Sequence, residues 1–298
     1  MNRTKIEWVK NPDGSPGYTW NPITGCLNHD NGLCKGGGFP CYAYRLANGR
    51  LKPLYLANDN LTPCSHGSRD SICVTQDDLA DPFYPRFWED RVREDFGSCY
   101  AGAAPKGIFV CDMGDLFGIG VPEAWTRRIL SHIGMAWYRE HRFYLLTKQP
   151  QNLIKWSPFP ENCYVGVTAT TFEHFGIAGI YLPDIKAPVK FISFEPLLER
   201  ITDTKQQYNP GMMAMDLKFA GITWLIIGAQ TNPYKPPEIE DLREIVEAAD
   251  KAGVKVFLKD NLMPLFKRGD IWAIPEWASF NDWSKQDIGT TLRQEVPK

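Results

Sequence analysis

The chain has 298 residues, 43% apolar, 23% charged and 13% aromatic, a composition that excludes disordered and fibrous classes and allows a substantial core. With 33 basic and 35 acidic residues the formal charge is −2, which excludes a strongly basic footprint for phosphate backbones and leaves only a local basic groove. No run nears the roughly 20 apolar residues that span a bilayer, and the start, Met1 to Trp8, lacks a signal-peptide core; a cytoplasmic protein with no membrane partner is expected.

The first element is a short strand near Tyr18-Thr19-Trp20, followed by a glycine-rich loop carrying Cys26, Cys34 and Cys41. Residues 50 to 105, broken by Pro, Asp and Ser, read as an insertion. Within it, Phe83 to Arg93 interleaves aromatic and basic residues. These can stack bases and touch phosphates, but a helix packing Phe87, Trp88 and Val92 on one side, with its charges in water, is the simpler reading.

From about residue 106, continuous apolar runs at 107–111, 143–147, 163–167, 189–194, 224–228 and 254–258 alternate with helical patterns, as parallel strands covered on both faces do. Pro122 opens a helix on which Trp125, Ile129, Ile133, Ala136 and Trp137 recur. Pro236-Pro237 introduces Ile239, Leu242, Ile245, Val246 and Ala249, and Gly253 supplies the stop. Residues 200 to 222, with Met212, Met213 and Met215 as packing, read as a second insertion. The tail from about 260, carrying Trp272, Trp277 and Trp283, is expected to cap one end. The pattern predicts an α/β fold, one domain over 1–298: a partial or closed (β/α) barrel with both insertions at its rim, or a doubly wound open sheet. Either puts chemistry at the carboxyl ends of the strands.

The three cysteines lie within sixteen residues in the pattern C-x7-C-x6-C. In a reducing compartment such a cluster is weighed first as a metal site, because this polar, glycine-rich segment offers no apolar face for three unrelated thiols. Zinc needs a fourth ligand, which His29 or a distant cysteine can supply. Three thiolates with no fourth suit an iron–sulfur cluster with one open iron. Spacing leaves both open. Cys64, Cys73 and Cys99 read as ordinary or structural thiols, and Cys111 and Cys163 as core.

The segment Thr19-Trp20-Asn21-Pro22-Ile23-Thr24-Gly25-Cys26, with Cys34 and Cys41-Tyr42-Ala43, resembles the T-W-N-P-x-T-G-C…C…C-Y-A opening of a phage-associated three-cysteine family regarded as radical S-adenosylmethionine-like. The resemblance continues through Asp112-Met113-Gly114-Asp115-Leu116-Phe117, Leu146-Thr147-Lys148-Gln149-Pro150, Val165 to Thr168, Phe194 to Leu198 and Ile226 to Gln230. It implies a barrel of the radical S-adenosylmethionine type and a 4Fe-4S cluster on Cys26, Cys34 and Cys41. S-adenosylmethionine would sit on the open iron and, reduced by an external electron donor, yield a 5′-deoxyadenosyl radical. It also implies a companion three-cysteine partner protein and favours a nucleic acid base as substrate. The cluster loop departs from the family: six residues, Lys35 to Pro40, separate Cys34 from Cys41 where the family usually has two.

Asp112, Gly114 and Asp115 follow the second strand, where the resemblance puts the methionine ammonium; the simpler role for Asp115 is to satisfy amides at a helix entry. Thr147, Lys148, Thr168, Glu195 and Gln230, with Asn232, occupy later strand ends and complete a cofactor-binding set. Lys148 can neutralise a carboxylate or phosphate, or form a surface ion pair. Glu195 can bind ribose hydroxyls or a substrate amine, or serve the turn before Pro196. No catalytic residue is assigned. The competing function is a non-catalytic zinc or iron–sulfur module acting with a partner protein.

Overall fold

The computed structural model describes residues 1–58, 74–94, 96–97, 102–202, 207–268, 271–272, 274–279 and 291–297. Cys64, Cys73, Cys99, Trp283 and the side chain of Trp272 lie outside the described residues. The chain divides into two compact units, residues 1–5 with 9–164 and residues 6–8 with 165–298.

Eight strands follow one another in a mostly parallel sheet: β1 (Asn2–Arg3), β2 (Tyr18–Trp20), β3 (Gly107–Val110), β4 (Arg142–Thr147), β5 (Cys163–Thr168), β6 (Val189–Phe194), β7 (Trp224–Ile227) and β8 (Lys255–Leu258). Every residue of β3, β5, β6 and β7 is buried, as in strands covered on both faces, including Lys190 of β6, whose ammonium donates to the Leu182 carbonyl (2.8 Å). The registers Tyr18↔Ile108, Ile108↔Phe143, Phe191↔Trp224 and Trp224↔Lys255 are parallel, while β1 runs antiparallel to β2.

This order corrects the expected barrel. The row of strands has two ends, and the backbone groups at each are taken by a different segment. At one end β1 covers β2. At the other, Leu258 N–H donates to the Arg293 carbonyl (2.8 Å), Glu295 N–H donates to the Val256 carbonyl (2.9 Å), and Phe257 faces Gln294. The eight strands are thus an ordered row with a covered edge at β8, and among the described residues no pairing joins its first strand to its last. Nor is the winding double, since strand order follows chain order from β2 to β8 without reversal.

In the first unit, helix α1 (Tyr42–Asn48) buries Ala43 and Ala47, and α2 (Glu123–Ile133) buries Ile129 and Ile133. The expected helical face stops short: Gly134 ends α2, so Ala136 and Trp137 fall in a separate single turn and are exposed. Between β4 and β5 the described chain makes only short 3-10 turns, because Pro150, Pro158 and Pro160 remove the amides that a helix needs. Phe83 to Arg93 is not one helix either. Arg86–Phe87 pairs with Ile23–Thr24, and a short helix follows at Glu89–Val92. Arg86 is buried, donating to the carbonyls of Leu79 and Asp81 at 2.9 Å each, and not in water.

In the second unit α3 (Phe172–Tyr181), α4 (Pro210–Phe219) and α5 (Ile239–Ala252) alternate with β5 to β8. Helix α5 follows its sequence pattern at Leu242, Ile245, Val246 and Ala249, which are buried, while Ile239 at its first position is exposed, and Gly253 ends it at φ 73°. On α4 only Met213 of the three methionines is buried; Met212 and Met215 are exposed. Among the described residues no helix is long and apolar enough to cross a membrane.

Candidate metal and cofactor site

The chain leaves β2 at Trp20 and turns through Asn21, whose amide ties two segments. Its Nδ2 donates to Asp112 Oδ1 (2.5 Å), and its Oδ1 accepts from Met113 N–H (3.0 Å). Just before Cys26 the loop is clamped again: Gly25 N–H donates to the Met113 carbonyl (2.9 Å) and Cys26 N–H to the Phe83 carbonyl (3.0 Å). Gly114 is glycine because the backbones touch here; a Cβ on it would lie 2.8 Å from the Gly25 carbonyl oxygen. Tyr42, next to Cys41, donates its hydroxyl to the Asp112 carbonyl. The turn after β3 therefore supports the cysteine loop at both ends.

Between these clamps a small hairpin pairs His29 with Cys34 and Asp30 with Leu33. The six residues between Cys34 and Cys41 do not hang free. Cys34 N–H donates to the Phe39 carbonyl (2.9 Å), Gly38 N–H to the Cys34 carbonyl (2.7 Å), and Cys41 N–H to the Gly32 carbonyl (2.8 Å). Cys26 and Cys41 pack against one apolar cluster of Ala43, Ala47, Tyr55, Phe83, Trp88 and Met113. Cys34 is buried and acts electrostatically with both of them.

Burial pushes the Cys26 thiol up to about 12, with the Asp115 carboxylate adding to the rise. Burial also raises Cys34, and the Lys148 ammonium opposes the rise at both thiols. Without metal these groups hold their protons, so metal binding must release them. Burial likewise raises the carboxyls of Asp112 and Asp115. Asp115 is fully engaged: Oδ1 accepts from Phe117 N–H (3.0 Å), Oδ2 from the Thr147 hydroxyl (2.8 Å) and Lys148 N–H (3.2 Å). It thus ties the turn after β3 to the end of β4. The structure gathers Asp112, Gly114, Asp115, Thr147 and Lys148 with the three cysteines in the first unit.

Among the described residues no three His, Cys, Asp or Glu side chains converge to hold one metal ion. The donor set nevertheless fits a cluster. Its three ligands are soft thiols, and a cluster attaches each to a different iron, so they need not meet at a point. His29 is a poor fourth ligand although it stands opposite Cys34. Its Nδ1 accepts from Gly32 N–H (3.3 Å), so that nitrogen is engaged within the hairpin.

Three further candidates lie in the second unit. Thr168 ends β5 with a buried hydroxyl that has no hydrogen-bond partner among the described residues. Glu195, just past β6, pairs with Lys259 and accepts from the Trp8 indole (3.3 Å). Burial pulls the Lys259 ammonium down, but Glu195 and Glu7 outweigh it and hold it above the ordinary lysine value. Gln230 sits apart from this pair, in a short hairpin, donating to the Pro233 carbonyl (3.0 Å). Asn232 belongs to the same hairpin turn.

Sequence reasoning missed Asn21, Tyr42, Arg91, Lys259 and Asn261. Arg91 lies 3.9 Å from the Trp88 ring centroid and donates to the Asn21 carbonyl (2.9 Å); Asn261 exchanges two hydrogen bonds with the Ala229 backbone. Asn21 and Tyr42 fall inside the quoted cysteine motif, and that was their only signal.

The family model described as "Protein of unknown function (DUF5131)" matches residues 3–265. No curated protein and no solved structure matches the chain.

Proposed function

The chain belongs to the family described as protein of unknown function (DUF5131), and from that premise we propose that it is an iron–sulfur enzyme of the radical S-adenosylmethionine type. The observation that carries this reading is the arrangement of three cysteines on one loop, two of them against one apolar cluster, clamped to the turn Asp112–Asp115. Cys26, Cys34 and Cys41 would hold a 4Fe-4S cluster whose fourth iron stays open. When bound there, S-adenosylmethionine supplies a 5′-deoxyadenosyl radical after one-electron reduction.

The chain's own residues have separable tasks. Asn21, Gly25 and Gly114 fix where the loop leaves the sheet, and the Tyr42 hydroxyl fixes where it returns. Asp115 orders the ends of β3 and β4 and leaves the Lys148 charge near Cys26 and Cys34. The Asp112 carboxyl, held by Asn21 and desolvated by burial, would face the ligand ammonium if the cofactor binds as proposed, and that positive charge would draw it toward its ionised form. Within the second unit, Thr168 carries a buried hydroxyl with no hydrogen-bond partner among the described residues, and the Glu195 carboxylate, paired with Lys259, suits hydroxyl or amine groups. A cytoplasmic setting, an external electron donor and a companion partner protein belong to the same proposal, with a nucleic acid base as substrate.

Anaerobic reconstitution tests the reading: iron and sulfide content, visible absorbance, and deoxyadenosine release on reduction. A colourless protein with stoichiometric zinc overturns it. Salt-dependent binding of DNA or RNA oligonucleotides tests the substrate class, and no binding at low salt removes nucleic acid from consideration.

A further inference from the structure

The inserted segment Lys35 to Pro40 meets one side chain in particular. Gly36 lies flat on the stem of Lys148: a Cβ on Gly36 would stand 3.0 Å from Lys148 Cδ and 3.2 Å from its Cβ. The Lys148 ammonium continues past Gly36 and lies 5.9 Å from the centroid of the Phe39 ring. The base of this lysine is fixed independently, because its own N–H donates to the buried Asp115 carboxylate (3.2 Å). On the loop side, Cys34 is bonded through its backbone to Phe39 and Gly38, so whatever holds Gly36 and Phe39 also holds Cys34.

We infer that Lys148 is a positioning residue: its aliphatic stem is the seat on which the Lys35–Pro40 segment folds, and that contact keeps Cys34 placed and shielded. Charge is not the main agent. A lysine stem covers apolar and backbone surface while its head reaches beyond it, and a side chain at position 36 would press on this stem, its Cβ alone standing 3.0–3.3 Å from three of its carbons. The contact itself is a property of the metal-free chain, and only its consequence for cluster loading rests on the metal reading.

Site-resolved alkylation of the metal-free protein tests it, with Cys163, buried in β5, as the internal marker of global unfolding. Lys148→Ala and Gly36→Val should each speed labelling of Cys34 by about tenfold or more, a local opening, while Cys163 stays protected. Lys148→Met keeps the stem and loses the charge, and should label Cys34 no faster than wild type. Equal rates in wild type and Lys148→Ala would overturn the proposal, as would Lys148→Met labelling as fast as Lys148→Ala. A lysine acting only by charge would slow Cys34 in both variants, because removing the ammonium disfavours the thiolate. Should the wild type bind no iron yet show this labelling pattern, the metal reading fails and the seat stands.

Discussion

In the first unit the strand-end carboxylate Asp115 is satisfied by two amides and a hydroxyl; in the second, Glu195 is met by the Lys259 ammonium and an indole. Both acids follow a buried strand, and nothing in their local sequence separates them. The first arrangement is neutral on the donor side and geometrically fixed, so it orders backbone around the cysteine loop. The second opposes two full charges and answers to salt and to loss of either partner. A hydrogen-bonded carboxylate is therefore a framework element, whereas an ion pair keeps a charge that a ligand can exploit.

The largest effect that would break this contrast is on metal. Replacing Cys26, Cys34 or Cys41 by Ala should each abolish most of the bound iron, while Cys64→Ala, Cys73→Ala and Cys99→Ala retain it, as does Cys163→Ala with about 1–2 kcal/mol lost stability. Equal iron loss in both groups, measured after reconstitution, would mean the ligands have been misassigned. Next in size, Asp115→Ala leaves the amides of Phe117 and Lys148 without this acceptor in a buried position and takes the acceptor from the Thr147 hydroxyl, which keeps only its bond from Gln149 N–H. It should cost about 3 kcal/mol or more by urea unfolding, and a loss under about 1 kcal/mol would deny it a framework role.

Lys259→Met should cost less, about 1–3 kcal/mol, because Glu195 is 27% exposed and water can partly replace the lost ammonium. Adding Glu195→Gln should recover part of that loss, and strict additivity in the cycle would show that the two charges do not interact. A last effect is on pH. Folded Cys26 and Cys34 keep protons that the unfolded chain releases near the ordinary thiol value of 9.0, so their contribution is fully present below that value. It is lost as pH rises toward about 12, the Cys26 value. Cys26→Ser should flatten the fall in metal-free stability above pH 9, and an unchanged slope would refute the burial of that thiol.

The interior strands were legible because burial on both faces writes itself as a largely apolar run; the pattern at 224–228 contains β7, Trp224–Ile227. The sheet edges were not. Arg293, Gln294 and Glu295 are polar and pair with β8 through their backbone groups, which leaves no apolar pattern, and without them a barrel was the natural expectation. Arg86 was unreadable for a related reason: its partners are the Leu79 and Asp81 carbonyls, and every residue has a carbonyl. At the candidate site the cysteines and the Asp112–Asp115 turn stood out as residue types. That Gly114 exists to admit Gly25, and Gly36 to admit Lys148, is a matter of distance between segments far apart in sequence.

The cover on β8 also sets an order in time. Leu258 leaves the ribosome about 35 residues before Arg293, which at roughly 5–20 residues per second is an interval of about 2–7 s. Throughout it, a hydrophobic strand whose Val256, Phe257 and Leu258 are fully buried in the finished protein presents an unpaired ladder. Each nascent chain is thus open to pairing with its neighbours on a polysome until the segment around Arg293 arrives, and slow translation across 259–292 lengthens that exposure.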